Sequence, residues 1–104
     1  MIKVSVFYPR RESAKFDMKY YLGSHVPLLK QRLGTACKSI VIDRGLRGGT
    51  PNTPAHFVLV ANLIFEDAQS FRAAFRPHAK EILADMRNFT TIQPRIQISQ
   101  TISL

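Results

Sequence analysis

The pattern of apolar residues predicts six elements along the chain, in the order strand, helix, strand, strand, helix, strand. The first strand is expected over Ile2–Tyr8, where apolar residues alternate, and Pro9 ends it. Asp17 is placed to cap the first helix, and Gly34 to end it. The apolar stripe of that helix has three- and four-residue spacing and comprises Met18, Tyr21, Leu22, His25, Leu29 and Leu33.

The other four elements lie in the remainder of the chain, which includes a turn-forming loop at residues 48–54. They are strands over Lys38–Leu46, His56–Phe65 and Ile92–Ile102, and a helix from its N-cap Asp67 to Met86. The strand His56–Phe65 is apolar on both faces, which is typical of a central strand. Pro77 lies in the middle of the second helix.

This order predicts an α+β, ferredoxin-like βαββαβ fold, in which both helices cover one side of a four-stranded antiparallel sheet. A chain of 104 residues is long enough for one hydrophobic core but short of the length at which chains divide. Residues 1–104 are therefore expected to form a single domain.

The sheet must have a mixed surface, because its strands carry more apolar residues than one helix layer covers. These residues are the apolar Phe7, Val41, Val58, Val60 and Ile64 and the polar Ser5, Asp43, Asn62, Arg95, Gln97 and Ser99. A mixed face of this kind suits a homodimer in which two sheets pack together around a partly polar cavity.

The net charge of +8 raises the question of nucleic-acid binding, but the basic residues are scattered and no run of five occurs. The apolar strand at 56–63 lacks the glycine and aromatic signature of RNA-recognition strands. The sequence therefore favours a protein that binds no nucleic acid.

Cysteine content and hydropathy indicate the cellular compartment in which the protein is expected. Cys37 is the only cysteine, so no internal disulfide can form, and a reducing cytoplasm is expected. Residues 1–11 contain no long apolar run, so neither a signal peptide nor a membrane-spanning segment is expected.

The strongest candidate for chemistry is His25, which lies on the apolar stripe two residues before Pro27. Proline removes a backbone donor and crowds the carbonyl of Gly23, so we expect the helix to be distorted there. A distorted helix can direct an imidazole into a cavity, where its neutral form acts as a general base. The alternative is that His25 is a hydrogen-bonded core residue.

Three further residues are candidates for substrate binding. Tyr21 shares the stripe with His25 one turn away and can donate from its phenol. Asp43 lies within a strand, where it can orient an imidazole or bind a hydroxyl, or else form a structural ion pair or hydrogen bond. His78 follows Pro77 on the second helix and has packing as its alternative role. The histidines lack the spacing of a metal motif, so no metal is expected.

Several segments of the chain together carry a family resemblance. They are Phe16–Tyr21, His25–Leu28, Asp43–Leu46 and the stretch Asp85–Pro94 that leads into Ile96–Ser99. The chain resembles the EthD family, named for ethyl tert-butyl ether degradation, and its His25 matches the family's His-x-Pro-Leu motif. The resemblance implies the dimeric α/β barrel superfamily, with a homodimer as its assembly and degradative pathways as its setting.

The resulting functional prediction is an enzyme that acts on a small hydrophobic organic molecule in the barrel cavity by proton transfer at His25, without an organic cofactor. Isomerase, dehydratase, decarboxylase and cofactor-free oxygenase chemistry all fit. The alternative is a non-catalytic protein that binds an apolar ligand or assists an oxygenase system. Haem ligation by one histidine also stays open, because the superfamily includes haem-degrading enzymes.

Overall fold

The computed structural model describes residues 1–104 and shows the predicted order of strands and helical segments. The strands are β1 (Ile2–Pro9), β2 (Ser39–Arg44), β3 (Phe57–Phe65) and β4 (Arg95–Gln100), and the helices are α1 (Met18–Tyr20), α2 (Val26–Leu33), α3 (Ala68–Phe75) and α4 (Ala79–Asp85). A π-helical turn, Tyr21–His25, joins α1 to α2, and a 3₁₀ turn, Arg76–His78, joins α3 to α4. The first predicted helix is thus interrupted just before Pro27, and the second is interrupted at Pro77.

The helices begin where their caps were expected. The Asp17 carboxylate accepts from the Tyr20 N–H at 3.0 Å, and the Asp67 carboxylate accepts from the Ser70 N–H at 2.7 Å. Each cap satisfies a backbone donor that has no partner within the first turn.

The four strands form one antiparallel sheet in the order β2-β3-β1-β4. This is the strand order of the ferredoxin-like fold, so the predicted fold class is confirmed. β3 lies between β2 and β1, as its apolar faces predicted, while β2 and β4 form the edges.

Strand register decides which residues face the helices. Val4 lies beside Leu63 on one side and Ile98 on the other, and these three share the helix-covered face. Ser5 lies beside Asn62 on the opposite, open face. The hydrophobic core therefore sits between the helices and one face of the sheet, in two adjoining clusters of buried residues.

The outer strands are shorter than the alternation predicts. β4 begins at Arg95 and not at Ile92, because the Ile92 N–H donates to Thr90 Oγ1 at 3.0 Å instead of entering the sheet. Thr90 in turn pairs with Phe16, which ties this segment to the start of the first helix. No helix is both long enough and apolar enough to cross a membrane.

Candidate functional site

The helical distortion predicted at His25 is present as the π-helical turn. The Val26 N–H donates to the carbonyl of Tyr21, five residues earlier, and Pro27 stands at the start of α2 with no N–H to donate. The wider turn leaves Tyr21 and His25 both buried and stacked, with ring centroids 5.4 Å apart. π-helical turns of this kind are frequent at functional sites.

The His25 imidazole is held by Asp85, which ends α4. His25 Nδ1 lies 2.8 Å from Asp85 Oδ2, and the histidine is only 3% exposed. The other carboxylate oxygen of Asp85 accepts from the Tyr20 hydroxyl at 2.7 Å and from Asn88 Nδ2 at 3.0 Å. α1, the π-helical turn and the end of α4 thus each contribute a side chain to one polar cluster.

Electrostatics determine the protonation states of this pair. Burial lowers the pKa of His25 below its ordinary value of 6.5, and Asp85 offsets only part of that shift. Burial alone would raise the pKa of Asp85, but hydrogen bonds from Tyr20, His25 and Asn88 hold it below its ordinary value. At neutral pH, the site therefore contains a neutral imidazole beside an ionised carboxylate.

The ionised carboxylate sets the tautomer of the imidazole. Asp85 can only accept, so Nδ1 carries the proton and Nε2 keeps its lone pair. Phe89 packs against the ring with centroids 4.6 Å apart, which restrains its orientation. The result is an oriented base with one free nitrogen.

A cavity of about 90 Å³ adjoins His25 between the helices and the sheet. It lies within one chain and on the helix-covered face, not on the open sheet face where the cavity was expected, because the side chains of His25 and of its stripe face the core. Sixteen residues line it, of which fourteen are hydrophobic, including core residues from β1, β3 and all the longer helices. Leu83 and Ile96 line the cavity and are also exposed at the surface, so the opening lies between α4 and β4.

Two phenols accompany the imidazole in the cavity. Tyr8 is 3% exposed and Tyr21 is 1% exposed, and neither hydroxyl makes a hydrogen bond within the chain. Every fully buried side-chain oxygen and nitrogen has a partner, so these two hydroxyls and His25 Nε2, which have none within the chain, are not fully enclosed by protein atoms. Burial raises the pKa of both phenols, and they stay protonated at neutral pH.

The sequence-derived candidates fall into two groups in the structure. Tyr21 and His25 lie together in the cavity. Asp43 lies on the open face of the sheet, where it accepts from Asn62 Nδ2 at 2.9 Å, so within the chain Asp85 and not Asp43 orients the imidazole. His78 is half-buried in the 3₁₀ turn and does not line the cavity.

Nothing in the hydrophobic pattern singles out Asp85, which was missed as the partner of His25. It is 60 residues away along the chain and appears as one of several charged residues on an amphipathic helix. Tyr8 is placed by alternation on the same face as Val4 and Val6, but that pattern alone does not distinguish a cavity-lining phenol from a core residue. The signal available in the sequence was the segment Asp85–Pro94, which carries part of the family resemblance.

The geometry bears on metal and haem binding as well. No three His, Cys, Asp or Glu side chains lie close enough together to hold a metal ion. The cavity beside Nε2 is smaller than the cavity of about 150 Å³ that holds benzene in an engineered protein, and it has no room for haem.

Comparison with known proteins places this geometry in a family. Residues 10–93 match the model of the EthD domain. The chain is 42% identical to an EthD-like protein from Ralstonia eutropha JMP134, with a TM-score of 0.93 over 98% of this chain and 92% of the other. No curated protein sequence is significantly similar to it.

Two more distant structures share the fold. An ethyl tert-butyl ether degradation (EthD) family protein from Bacillus halodurans C-125 is 20% identical, with a TM-score of 0.76, 98% of this chain and 99% of that chain being covered. A candidate antibiotic biosynthesis monooxygenase from Bordetella bronchiseptica is 16% identical, with a TM-score of 0.56 and coverage of 98% and 96%. The match over most of its length and the 42% identity show that the chain belongs to the EthD family.

Proposed function

We propose that this protein is an enzyme that binds a small hydrophobic organic molecule in the cavity and moves a proton with His25 as general base. One observation carries the proposal: the imidazole is oriented through Nδ1 by Asp85, while Nε2 has no hydrogen-bond partner within the chain and the residue lines a mainly apolar cavity. The carboxylate satisfies only one nitrogen of the ring, and the other nitrogen has no hydrogen-bond partner within the chain.

The chemistry follows from the protonation states. Neutral Nε2 takes a proton from the bound molecule, and the imidazolium that forms is stabilised by the Asp85 carboxylate. Because His25 is buried beside a mainly apolar lining, this charge pair is stronger than it would be at the surface. The same imidazolium can return the proton to another atom, which is the requirement for isomerisation or dehydration.

The setting of the reaction comes from the family. The family name refers to ether degradation, and we assign this protein to a degradative pathway on that basis. Decarboxylation and cofactor-free oxygenation use the same base and belong to the same proposal. We also assign it to the cytoplasm, since its single cysteine, Cys37, is a free thiol.

The proposed assembly is a homodimer through the open sheet face. Phe7 and Phe57 pack with ring centroids 5.1 Å apart, and Val41 is 51% exposed on this face. Polar groups lie among them, including Ser5, whose hydroxyl lies 3.4 Å from Asn62 Oδ1. The sheet of a second chain, packed on this open face, would remove the apolar area from water and complete a barrel of two sheets.

The proposal is tested with deuterium. A panel of small hydrophobic carbonyl, hydroxyl and ether compounds is incubated with the protein in D₂O, and mass spectrometry records the deuterium incorporated. Replacing His25 by Gln keeps a polar side chain but removes the base, and we expect the rate to fall by about 10²- to 10⁴-fold. Circular dichroism and thermal unfolding check that the variant is folded.

Equal incorporation by the wild type and His25→Gln would contradict the role of His25. Saturable binding without incorporation or product from any compound would instead favour the non-catalytic, ligand-binding alternative.

A further inference from the structure

Besides His25, Tyr8 and Tyr21 are the only residues in the lining of the cavity that carry a polar side-chain group. We infer that they form a binding site for one carbonyl oxygen, so that the substrates are compact apolar ketones and aldehydes with a C–H bond next to the carbonyl. This inference deepens the proposed function, because it rests on His25 as the base.

The two phenols reach the cavity from different layers of the fold. Tyr8 comes from β1 in the sheet and Tyr21 from the π-helical turn, and their ring centroids are 6.0 Å apart, edge to face. Both rings line the same cavity, and neither hydroxyl has a hydrogen-bond partner within the chain. A single ligand atom between the two rings is the acceptor that we assign to both hydroxyls.

The chemistry of the lining selects the ligand atom. Both phenols are protonated and each offers one donor, which matches the two lone pairs of a carbonyl oxygen. A carboxylate ligand is disfavoured, because the lining contains no cation to offset the loss of its hydration. Of the reactions in the proposed function, the inference therefore retains those of carbonyl substrates and not decarboxylation. An ether or alcohol oxygen accepts such bonds too, but neither has a C–H acidic enough for a neutral imidazole.

The proposed step is enolisation. His25 Nε2 takes the proton from the carbon next to the carbonyl, the electrons of the C–H bond form a C=C bond, and the carbonyl oxygen becomes an enolate. Hydrogen bonds from Tyr8 and Tyr21 strengthen as negative charge develops on that oxygen, so they favour the transition state over the ground state. The imidazolium then returns a proton, or a deuteron in D₂O.

Cavity size limits the part of the ligand that is enclosed. At about 90 Å³, the space is smaller than the about 150 Å³ cavity that holds benzene. Cyclopentanone is about as large as benzene, so the expected enclosed part is the carbonyl group with the carbons next to it. Any larger substituent has to leave between Leu83 and Ile96, at the opening.

The test uses two probes of similar shape, cyclopentanone and methylenecyclopentane. The first carries a carbonyl oxygen where the second carries a CH₂ group. Their dissociation constants are measured by NMR titration for the wild type and for Tyr8→Phe, Tyr21→Phe and the double variant. Any effect of a substitution on packing acts on both probes and cancels in the ratio of their dissociation constants. We expect this ratio to shift against the ketone by about tenfold in the double variant and by less in each single variant.

A matched control is Tyr20→Phe, which also removes a phenol hydroxyl but one that lies outside the cavity, on Asp85. It should leave the ratio within about twofold of the wild type. The Tyr8 and Tyr21 hydroxyls have no partners within the chain, so their removal should not unfold the protein. An unchanged ratio in the folded double variant overturns the inference.

Exchange of the α-protons of cyclopentanone for deuterium separates this inference from the proposed function. If His25→Gln abolishes exchange but the double phenylalanine variant keeps both ratio and rate, His25 is the base and the carbonyl site is wrong. If the ratio shifts as expected but the wild type catalyses no exchange, the phenols bind the carbonyl oxygen and proton transfer by His25 is wrong.

Discussion

The carboxylate of Asp85 fixes the imidazole of His25 across the junction of the two helical segments, with 2.8 Å between Oδ2 and Nδ1. The contact joins the π-helical turn to the end of α4 and is supported by the hydroxyl of Tyr20. It converts a buried histidine into one with a defined tautomer, and its consequences can be measured.

Removing the charge of Asp85 should lower the pKa of His25 further. The carboxylate opposes the effect of burial on the imidazole, so Asp85→Asn leaves burial to act alone. NMR titration of the His25 ring protons in both proteins measures the change. Asn88→Ala is the control, because it removes a donor to Asp85 but keeps the charge. A His25 pKa that rises in Asp85→Asn would show that the pair is not coupled as the geometry indicates.

Stability should fall as the pH is lowered below 6.5, because the pKa of folded His25 lies under its ordinary value of 6.5. In the window between these two values, the unfolded chain binds a proton that the folded chain does not, which favours unfolding. Asp85 adds a second loss at lower pH, since its folded pKa also lies below its ordinary value of 3.8. Its contribution is present above 3.8 and disappears as the pH falls through its folded pKa.

Urea unfolding at a series of pH values measures this dependence. In His25→Gln, the free energy of unfolding should no longer fall with pH just below pH 6.5. Its fall at lower pH, which comes from Asp85, should be smaller or unchanged. The reaction rate should rise with pH through the folded pKa of His25 and be level at neutral pH. A wild type that becomes more stable between pH 6.5 and 5.5 would contradict the assigned direction.

Filling the cavity should weaken ligand binding without destroying the fold. Ala61 lies on β3, is almost fully buried and lines the cavity, so Ala61→Val adds methyl groups to the space. Affinity for a compact ligand such as cyclopentanone should fall by roughly tenfold, while stability changes by no more than about 1–3 kcal/mol. Calorimetric titration and thermal unfolding report the two quantities.

The control for this variant is Ala73→Val on the exposed side of α3, where the same added atoms meet no cavity. It should cost only the few tenths of a kcal/mol that β-branching costs, roughly 0.5 kcal/mol, and leave affinity unchanged. Equal affinity in Ala61→Val and the wild type would place the ligand elsewhere.

A charge on the open sheet face should dissociate the proposed homodimer. Val41→Glu puts a carboxylate beside Asp43 on this face, and burying it against a second sheet is unfavourable. Light scattering should give the mass of two chains for the wild type and of one chain for the variant. Leu46→Glu is the control, since Leu46 is 89% exposed beyond the end of β2. A wild-type mass of 11.8 kDa at micromolar concentration would refute the dimer.

The order of the elements, both aspartate caps and the distortion at His25 follow from the sequence alone. Each depends on residues that are neighbours along the chain: alternation over a strand, an acceptor before a helix, and Pro27 within a helical turn. Helical spacing also brings Tyr21 and His25 together, because both lie on the stripe that faces the core.

The identity of the partner of His25 could not be predicted in this way. Asp43 and Asp85 are both distant in sequence, and the choice between them depends on the side of the sheet that the helices cover and on the rotation of α4 about its axis. His78 lies in the 3₁₀ turn at Pro77 and does not line the cavity, whereas Ile82 on α4 does. Local periodicities carry no information on such long-range contacts.

The sequence by itself determined which segments form strands and helices, and that one histidine lies at a helical defect, because these depend on local backbone chemistry. Only the tertiary structure decided that Asp85 orients this histidine and that Tyr8 and Tyr21 share its cavity. The physical reason is that a cavity and a charge pair arise where separate elements meet, and their docking is set by the packing of the whole core.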